Sequence, residues 1–174
     1  MSASGKPGDV DTLVAKLATG LKEHLARQHH DAPLMVGVHT GGVWVARKLH
    51  QLLAVEAPLG TLNINFYRDD FTRIGMHPMV TPSDLFSVDD RHVVLIDDVL
   101  HTGRTIRAAL NEIFDYGRPA SVTLGVLVER SGREIPVQAD AIGQHLSLAD
   151  HEHVKLRGPD PLSLEITRKT GADN

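Results

Sequence analysis

The residues with the clearest chemical potential lie in one stretch of the chain, Val-Val-Leu-Ile-Asp-Asp-Val-Leu-His-Thr-Gly-Arg-Thr, at positions 93–105. Asp97 and Asp98 offer adjacent carboxylates, which can accept hydrogen bonds from neighbouring sugar hydroxyls and help to hold a magnesium ion. The turn that follows can present free backbone N–H groups and hydroxyls to a phosphate monoester at the start of a helix. It consists of Thr102, Gly103, Arg104 and Thr105. Together, the acid pair and the turn predict a ribose 5-phosphate site.

A purely structural interpretation of the same residues stays open, since the acid pair could end a strand and Thr102-Gly103 could cap a helix. Other phosphate-binding and hydrolase motifs do not occur. The chain contains no Gly-x-x-x-x-Gly-Lys-Ser/Thr loop, no Gly-x-Gly-x-x-Gly after its first apolar run and no Gly-x-Ser-x-Gly elbow. The sequence therefore favours the sugar-phosphate interpretation.

Alternating apolar and helical segments must position these residues. The run from His92 to Ile96 is typical of a buried strand, and a helix is predicted to follow the turn and to continue through about Tyr116. Gly117-Arg118-Pro119 predicts the end of that helix, and Val122 to Val128 predicts the next strand. This alternation predicts an α/β fold with a mainly parallel sheet and helices on both faces.

The first third of the chain repeats the same strand and helix pattern. Residues 1–9 are small and polar and predict a disordered lead-in, after which Asp11 can cap a helix that extends to about Gln28. The apolar run Leu34 to Val38 predicts a strand, and a glycine turn and a second helix follow it. We expect this turn and the acid pair to follow two strands of one sheet.

The remaining segments predict a lid and a hood around a single domain that spans residues 1–174. A second strand is predicted from Thr61 to Tyr67, and residues 68–91 then show no periodicity. A connection longer than about 12–15 residues is unusual in a compact domain, so we expect a flexible lid there. Short pieces broken by Gly and Pro over about residues 129–160 predict a small hood at one edge.

Composition excludes several classes of protein. The chain of 174 residues has no cysteine, which excludes disulfide scaffolds, thiolate metal sites and cysteine nucleophiles. Its formal net charge of −4 argues against nucleic-acid binding by overall charge alone. No apolar run approaches the ~20 residues that span a bilayer, and we expect a cytoplasmic protein.

Residues 93–107 closely resemble the phosphoribosyl diphosphate signature of type I phosphoribosyltransferases. Three further segments resemble the PyrR family, whose members are pyrimidine-operon attenuators with uracil phosphoribosyltransferase activity. These are Phe66-Tyr67-Arg68-Asp69-Asp70, the segment from Asp115 to Ala120 and the segment from Val128 to Pro136. The resemblance covers about residues 34–143 in the family's order. It is far more specific than one signature.

The resemblance implies that uracil and phosphoribosyl diphosphate react to give uridine monophosphate (UMP) and diphosphate, with Mg²⁺ as cofactor. Asp97 and Asp98 would bind the ribose hydroxyls and, through water, the metal, while residues 102–105 would bind the 5-phosphate. The glycine turn and Arg68 would bind the leaving diphosphate; the turn consists of His39, Thr40, Gly41 and Gly42. Arg68 could equally form a loop ion pair. A homodimer or a higher homo-oligomer is also implied.

This sequence departs from the family pattern at three places. His39-Thr40-Gly41-Gly42 stands where the family often has Lys-Thr-Arg-Gly, so two cations are missing at neutral pH. His101 replaces the usual tyrosine, and it could either assist removal of the uracil N1 proton or serve only as a polar side chain. Ser131-Gly132 replaces the usual Gly-His. For contact with the base we select Val99, Arg130 and Ile142.

Two other functions remain in competition with uracil transfer. One is an RNA-binding attenuator that senses nucleotides and binds pyrimidine-operon leader RNA, with weak or no catalysis. Its basis is the weakened diphosphate turn together with basic residues that could share a face: Arg118, Arg130, Arg133, Lys155, Arg157, Arg168 and Lys169. The other is a purine or orotate phosphoribosyltransferase, which the signature alone would allow.

Overall fold

A five-stranded parallel sheet organises the chain in our computed structural model, which describes residues 5–64 and 87–169. Its strands lie in the order β2-β1-β3-β4-β5. They are β1 (Leu34–Val38), β2 (Gly60–Leu62), β3 (His92–Leu100), β4 (Ser121–Arg130) and β5 (Ala141–Leu146). The predicted α/β class and the mainly parallel sheet are confirmed.

Helices cover both faces of this sheet, which explains why β1 and the middle of β3 and β4 are buried on both faces. Helices α1 (Val10–Arg27) and α2 (Gly41–Leu52) pack on one face, and α3 (Arg104–Tyr116) packs on the other. Side chains of β3 alternate accordingly. Val94 and Ile96 join the core under α1 and α2, whereas Val93 and Leu95 join the core under α3.

The predicted hood is divided between two structures. Its first part, β5, is the outer strand of the main sheet, where Ala141 pairs with Gly125 of β4. The rest falls in an antiparallel hairpin of β6 (Glu152–Arg157) and β7 (Ser163–Arg168), which extends beyond residue 160. A β-carbon built at Gly158, in the hairpin turn, would lie 3.0 Å from Trp44 Cε3. Trp44 therefore packs α2 against the hairpin.

Several boundaries differ from the sequence prediction. Asp9, not Asp11, caps α1, with Asp9 Oδ2 accepting the Thr12 N–H at 3.1 Å. Part of the lead-in, which was predicted to be disordered, contacts the domain: the Gly8 N–H donates to Gln144 Oε1 at 2.8 Å. The pairing of β2 ends at Leu62, and the predicted continuation to Tyr67 lies largely outside the described residues.

The predicted lid also falls mostly outside the described part of the chain, which resumes at residue 87. Its last residues pack against the body of the domain. Val88 is fully buried, and Asp89 Oδ1 accepts the Arg118 N–H at 2.8 Å. Among the helices of the described residues, none is long and apolar enough to cross a membrane.

Candidate active site

The candidate site lies where the strand order reverses direction. From β1, the sheet continues through β2 on one side and through β3 on the other. In open parallel sheets, ligands bind beyond the carboxyl ends of the strands at such a switch point. The turn after β1 contains His39 to Gly42, and Asp97 and Asp98 lie in the carboxyl-terminal half of β3. The topology therefore brings the two predicted polar segments together.

The acid pair is part of β3 and is held by the backbone. The Asp98 N–H donates to Asp97 Oδ1 at 2.8 Å, and the Val99 N–H donates to Asp98 Oδ1 at 2.9 Å. Asp97 is 4% exposed. Burial, and then the charge of Asp98, raise the pKa of the Asp97 carboxyl well above its ordinary value. A cation beside the pair would favour the ionised form of Asp97.

The glycine turn lies directly against this pair. A β-carbon built at Gly41 would lie 2.2 Å from Asp98 Oδ2, and one built at Gly42 would lie 2.8 Å from the Ile96 carbonyl oxygen. Any side chain at these positions would collide with β3. Glycine therefore permits the first turn of α2 and the carboxylates of β3 to line the same space.

His39 supplies no cation to this turn at neutral pH. Its N–H donates to the Leu62 carbonyl at 2.8 Å, and its peptide bond to Thr40 is cis. Burial, and then the charge of Arg47, lower the pKa of His39. Its Nε2 atom is buried without a hydrogen-bond partner among the described residues. The exposed Thr40 does not cap α2 with its side chain, so its hydroxyl remains available to a ligand.

The predicted phosphate turn borders a cavity of about 140 Å³ at the start of α3. Gly103 precedes the helix with a φ of 96°, a conformation that favours glycine. The first-turn N–H groups of a helix have no partner within the helix and suit an anion. The cavity is lined by Val99, Leu100, His101, Thr102, Gly103, Thr105 and Ile106. The Arg104 side chain points elsewhere and pairs with Glu134 at 3.1 Å.

His101 lines this cavity as a neutral imidazole. Burial, and then the charges of Arg130 and His153, lower its pKa, while Glu134 acts in the opposite direction. Gly132 flanks the ring, because a β-carbon built there would lie 2.9 Å from His101 Nε2. A neutral imidazole can accept a proton at pH 7.

Of the three residues selected for contact with the base, only Val99 lines the cavity. Arg130 is 3% exposed, and its guanidinium donates to the backbone carbonyls of Ser131, Ala149 and Glu152. Arg130 therefore holds the segment before β6. Ile142 packs in the core under α3. Arg68 lies outside the described residues.

Sequence reasoning missed a contact between residues 131–137 and the phosphate turn. The Glu134 and Ile135 N–H groups donate to the Thr102 carbonyl at 3.0 and 3.2 Å. The Arg133 guanidinium donates to the His101 carbonyl and to Glu129. The sequence shows only that Arg133 follows Glu129 by four residues. That spacing does not indicate that Arg133 also binds the His101 carbonyl.

A magnesium ion fits the chemistry of the acid pair, since Mg²⁺ prefers carboxylate oxygens and retains several waters. The described residues contain no group of three or more His, Asp or Glu side chains that could hold a metal. Asp97 and Asp98 would thus hold the ion together with water and substrate oxygens.

Comparison with known proteins agrees with this geometry. Residues 10–155 match the family described as "Phosphoribosyl transferase domain". The "Bifunctional protein PyrR" of Nitrosococcus oceani is 65% identical over 161 residues, which cover 91% of each chain. The protein of the same name from Pseudomonas paraeruginosa is 58% identical over 154 residues, which cover 88% of this chain and 91% of the relative.

Solved structures share the fold at lower identity. A hypoxanthine phosphoribosyl transferase of Trypanosoma cruzi has a TM-score of 0.65 and 19% identity, covering 86% of this chain and 81% of that one. A purine phosphoribosyltransferase of Pyrococcus horikoshii has a TM-score of 0.60 and 25% identity, covering 78% and 82%. These likenesses support the sheet topology around the site.

Proposed function

Because this chain belongs to the PyrR family of type I phosphoribosyltransferases, we propose that it joins uracil to phosphoribosyl diphosphate and releases UMP and diphosphate. The apposition of Gly41 and Asp98 carries this proposal. It supports the proposal because the turn expected to bind diphosphate lies beside carboxylates suited to ribose hydroxyls. The cavity at the start of α3 then lies a few residues further along the chain, where a 5-phosphate would bind.

In this reaction the bond between C1 of ribose and the diphosphate oxygen breaks, and a bond from uracil N1 to C1 forms. Positive charge develops on the sugar ring and negative charge on the leaving diphosphate. Asp97 and Asp98 orient the ribose through its hydroxyls, and the backbone of residues 40–42 faces the diphosphate. Mg²⁺, when bound, neutralises part of the diphosphate charge. Arg68 is our candidate for a further donor to the diphosphate.

The proton on uracil N1 must leave as the new bond forms. His101 is our candidate acceptor because it follows the acid pair closely in the chain and is neutral at pH 7. Val99 directly follows Asp98 and is our candidate for apolar contact with the flat base. Arg130 is not part of this proposal, since its donors bind backbone carbonyls.

The direct test mixes the protein with uracil, Mg²⁺ and phosphoribosyl diphosphate and follows UMP by chromatography. Parallel reactions with cytosine, orotate, hypoxanthine and guanine test base choice. We expect UMP to be the dominant product and to disappear when the metal is chelated. A protein that binds the sugar diphosphate and never forms UMP would refute the proposal. If a purine or orotate reacts faster than uracil, that base is the substrate and the assignment of uracil is wrong.

Regulation of pyrimidine genes through leader RNA is the second candidate function, and the name "Bifunctional protein PyrR" of the relatives favours it. The described surface gives it less support than the sequence suggested. Arg130 is buried, Arg157 pairs with Glu165 at 2.8 Å and Arg168 lies 3.7 Å from Glu152. Neighbouring carboxylates thus offset part of the positive charge of the hairpin, where both arginine side chains remain exposed.

A gel-shift assay with pyrimidine-operon leader RNA tests this second function across a salt series, with and without UMP. Specific regulation predicts tighter binding of leader RNA than of unrelated RNA, and a change in affinity when UMP is added. Equal affinity for both RNAs would exclude it.

A further inference from the structure

The Arg133 side chain ties the segment after β4 to the turn that would bind the 5-phosphate. Its Nη1 donates to the His101 carbonyl, its Nε donates to the Val137 carbonyl at 2.8 Å, and its Nη2 donates to Glu129 Oε1. The Arg133 and Glu129 side chains are only 25% and 22% exposed. Charge-assisted hydrogen bonds of this kind are among the stronger ones in proteins.

The backbone of the same segment reinforces this contact. Both N–H groups that follow Arg133 donate to the Thr102 carbonyl, at 3.0 and 3.2 Å. A β-carbon built at Gly103 would lie 2.7 Å from Ile135 Cγ1, so the segment also packs closely under the turn. Consecutive carbonyls of the turn, those of His101 and Thr102, are thus held by one loop.

We infer that Arg133 is a positioning residue, which holds residues 101–105 in the conformation that binds a sugar 5-phosphate. This inference deepens the proposed function and rests on it. Glu129 orients the guanidinium from the opposite side, and its other oxygen lies 3.4 Å from His145 Nδ1. The planar guanidinium reaches three acceptors in different directions, which the single ammonium of lysine cannot do.

Loss of this support should weaken phosphate binding equally in the ground state and in the transition state. The 5-phosphate does not change during the reaction, so its contacts contribute uniform binding. A positioning role therefore predicts a higher KM for phosphoribosyl diphosphate with little change in kcat. A defect in the chemistry itself would lower kcat instead.

The test measures binding of ribose 5-phosphate by titration calorimetry, together with steady-state kinetics, for wild type, Arg133→Lys and Glu129→Met. We expect Arg133→Lys to bind ribose 5-phosphate about tenfold more weakly, as loss of hydrogen bonds from a charged group implies. The KM for phosphoribosyl diphosphate should rise by a similar factor, while the KM for uracil and kcat change little. Glu129→Met should likewise weaken binding of ribose 5-phosphate and raise the KM for phosphoribosyl diphosphate.

Arg157→Lys is the matched control, because it alters an exposed ion pair in the β6–β7 hairpin, away from the turn. It should leave the affinity for ribose 5-phosphate unchanged. Wild-type affinity in folded Arg133→Lys would overturn the inference. If that variant does not fold, wild-type affinity in Glu129→Met overturns it instead. A wild type that shows the expected binding differences from its variants but makes no UMP would refute only the proposed function.

Discussion

Gly41 lies against Asp98, so closely that a β-carbon on Gly41 would be 2.2 Å from Asp98 Oδ2. The residues are far apart in sequence and meet because β1 and β3 are neighbouring parallel strands. Their contact joins the predicted diphosphate turn to the predicted ribose site. The relation is tight enough that even a methyl group must move the helix or the carboxylate.

We therefore expect Gly41→Ala to lower kcat/KM for phosphoribosyl diphosphate by about a hundredfold, the scale of a 1 Å displacement in an active site. Steady-state assays of UMP formation measure this. Gly20→Ala, in the middle of α1, is the control, because alanine favours a helix and meets only the Ala141 side chain at 3.3 Å. Equal activity of Gly41→Ala and wild type would show that this space is not used.

Asp98→Asn should reduce turnover much more than His101→Phe. The amide keeps the size of the side chain but removes the charge that we propose binds the ribose and the metal, and we expect a loss of about a hundredfold. Water can replace His101 as proton acceptor, so its loss should cost less. Asp11→Asn removes an exposed carboxylate that lies 3.4 Å from Lys48 Nζ and serves as the control. Equal rates for wild type and Asp98→Asn would reject the assignment of the ribose site.

A proton-accepting His101 would give the reaction a specific pH dependence. Burial and the charge of Arg130 lower the pKa of His101 below its ordinary value of 6.5, so the neutral ring persists as the pH falls toward that value. Activity should decline only below pH 6.5, as the imidazole becomes protonated. The pH profile of kcat for His101→Phe should lack this acidic limb. An unchanged profile in the variant would leave His101 as a polar side chain of the cavity wall.

The stability of the fold should also depend on histidine protonation, at the opposite end of the sheet. The rings of His30 and His92 stack with their centroids 3.6 Å apart, and His92 Nδ1 lies 2.8 Å from Ser121 Oγ. Burial, and then the charge of His92, lower the pKa of His30 from 6.5. Because the unfolded chain then binds more protons at the His30 ring, the contribution of His30 to stability is present above pH 6.5 and is lost as the pH falls.

His30→Phe keeps a stacked ring but removes its titration. We expect the thermal midpoint of this variant to fall less than that of wild type between about pH 7.5 and pH 5.5. Calorimetry at several pH values measures the difference. His151→Phe, which changes an exposed ring in the turn before β6, should retain the wild-type dependence. Parallel curves for wild type and His30→Phe would contradict the expectation.

Local patterns in the sequence predicted most of the sheet. Apolar runs identified β1, β3 and β4 because strands buried on both faces show little alternation. The same patterns placed β5 in an accessory hood. Its short sequence, Ala141 to Leu146, mixes buried and exposed residues, and only its pairing with β4 makes it part of the main sheet.

For the site, the sequence by itself determined which residues have the right chemistry and which local turns present them. An acid pair in an apolar strand and a Thr-Gly-x-Thr turn before a helix are encoded within a few neighbouring residues. Only the tertiary structure decided that Gly41 meets Asp98, that Arg130 donates to backbone carbonyls and that Arg133 donates to the His101 carbonyl. The physical reason is that these contacts depend on strand order and loop docking, which bring distant segments together and leave no periodic signal in either segment.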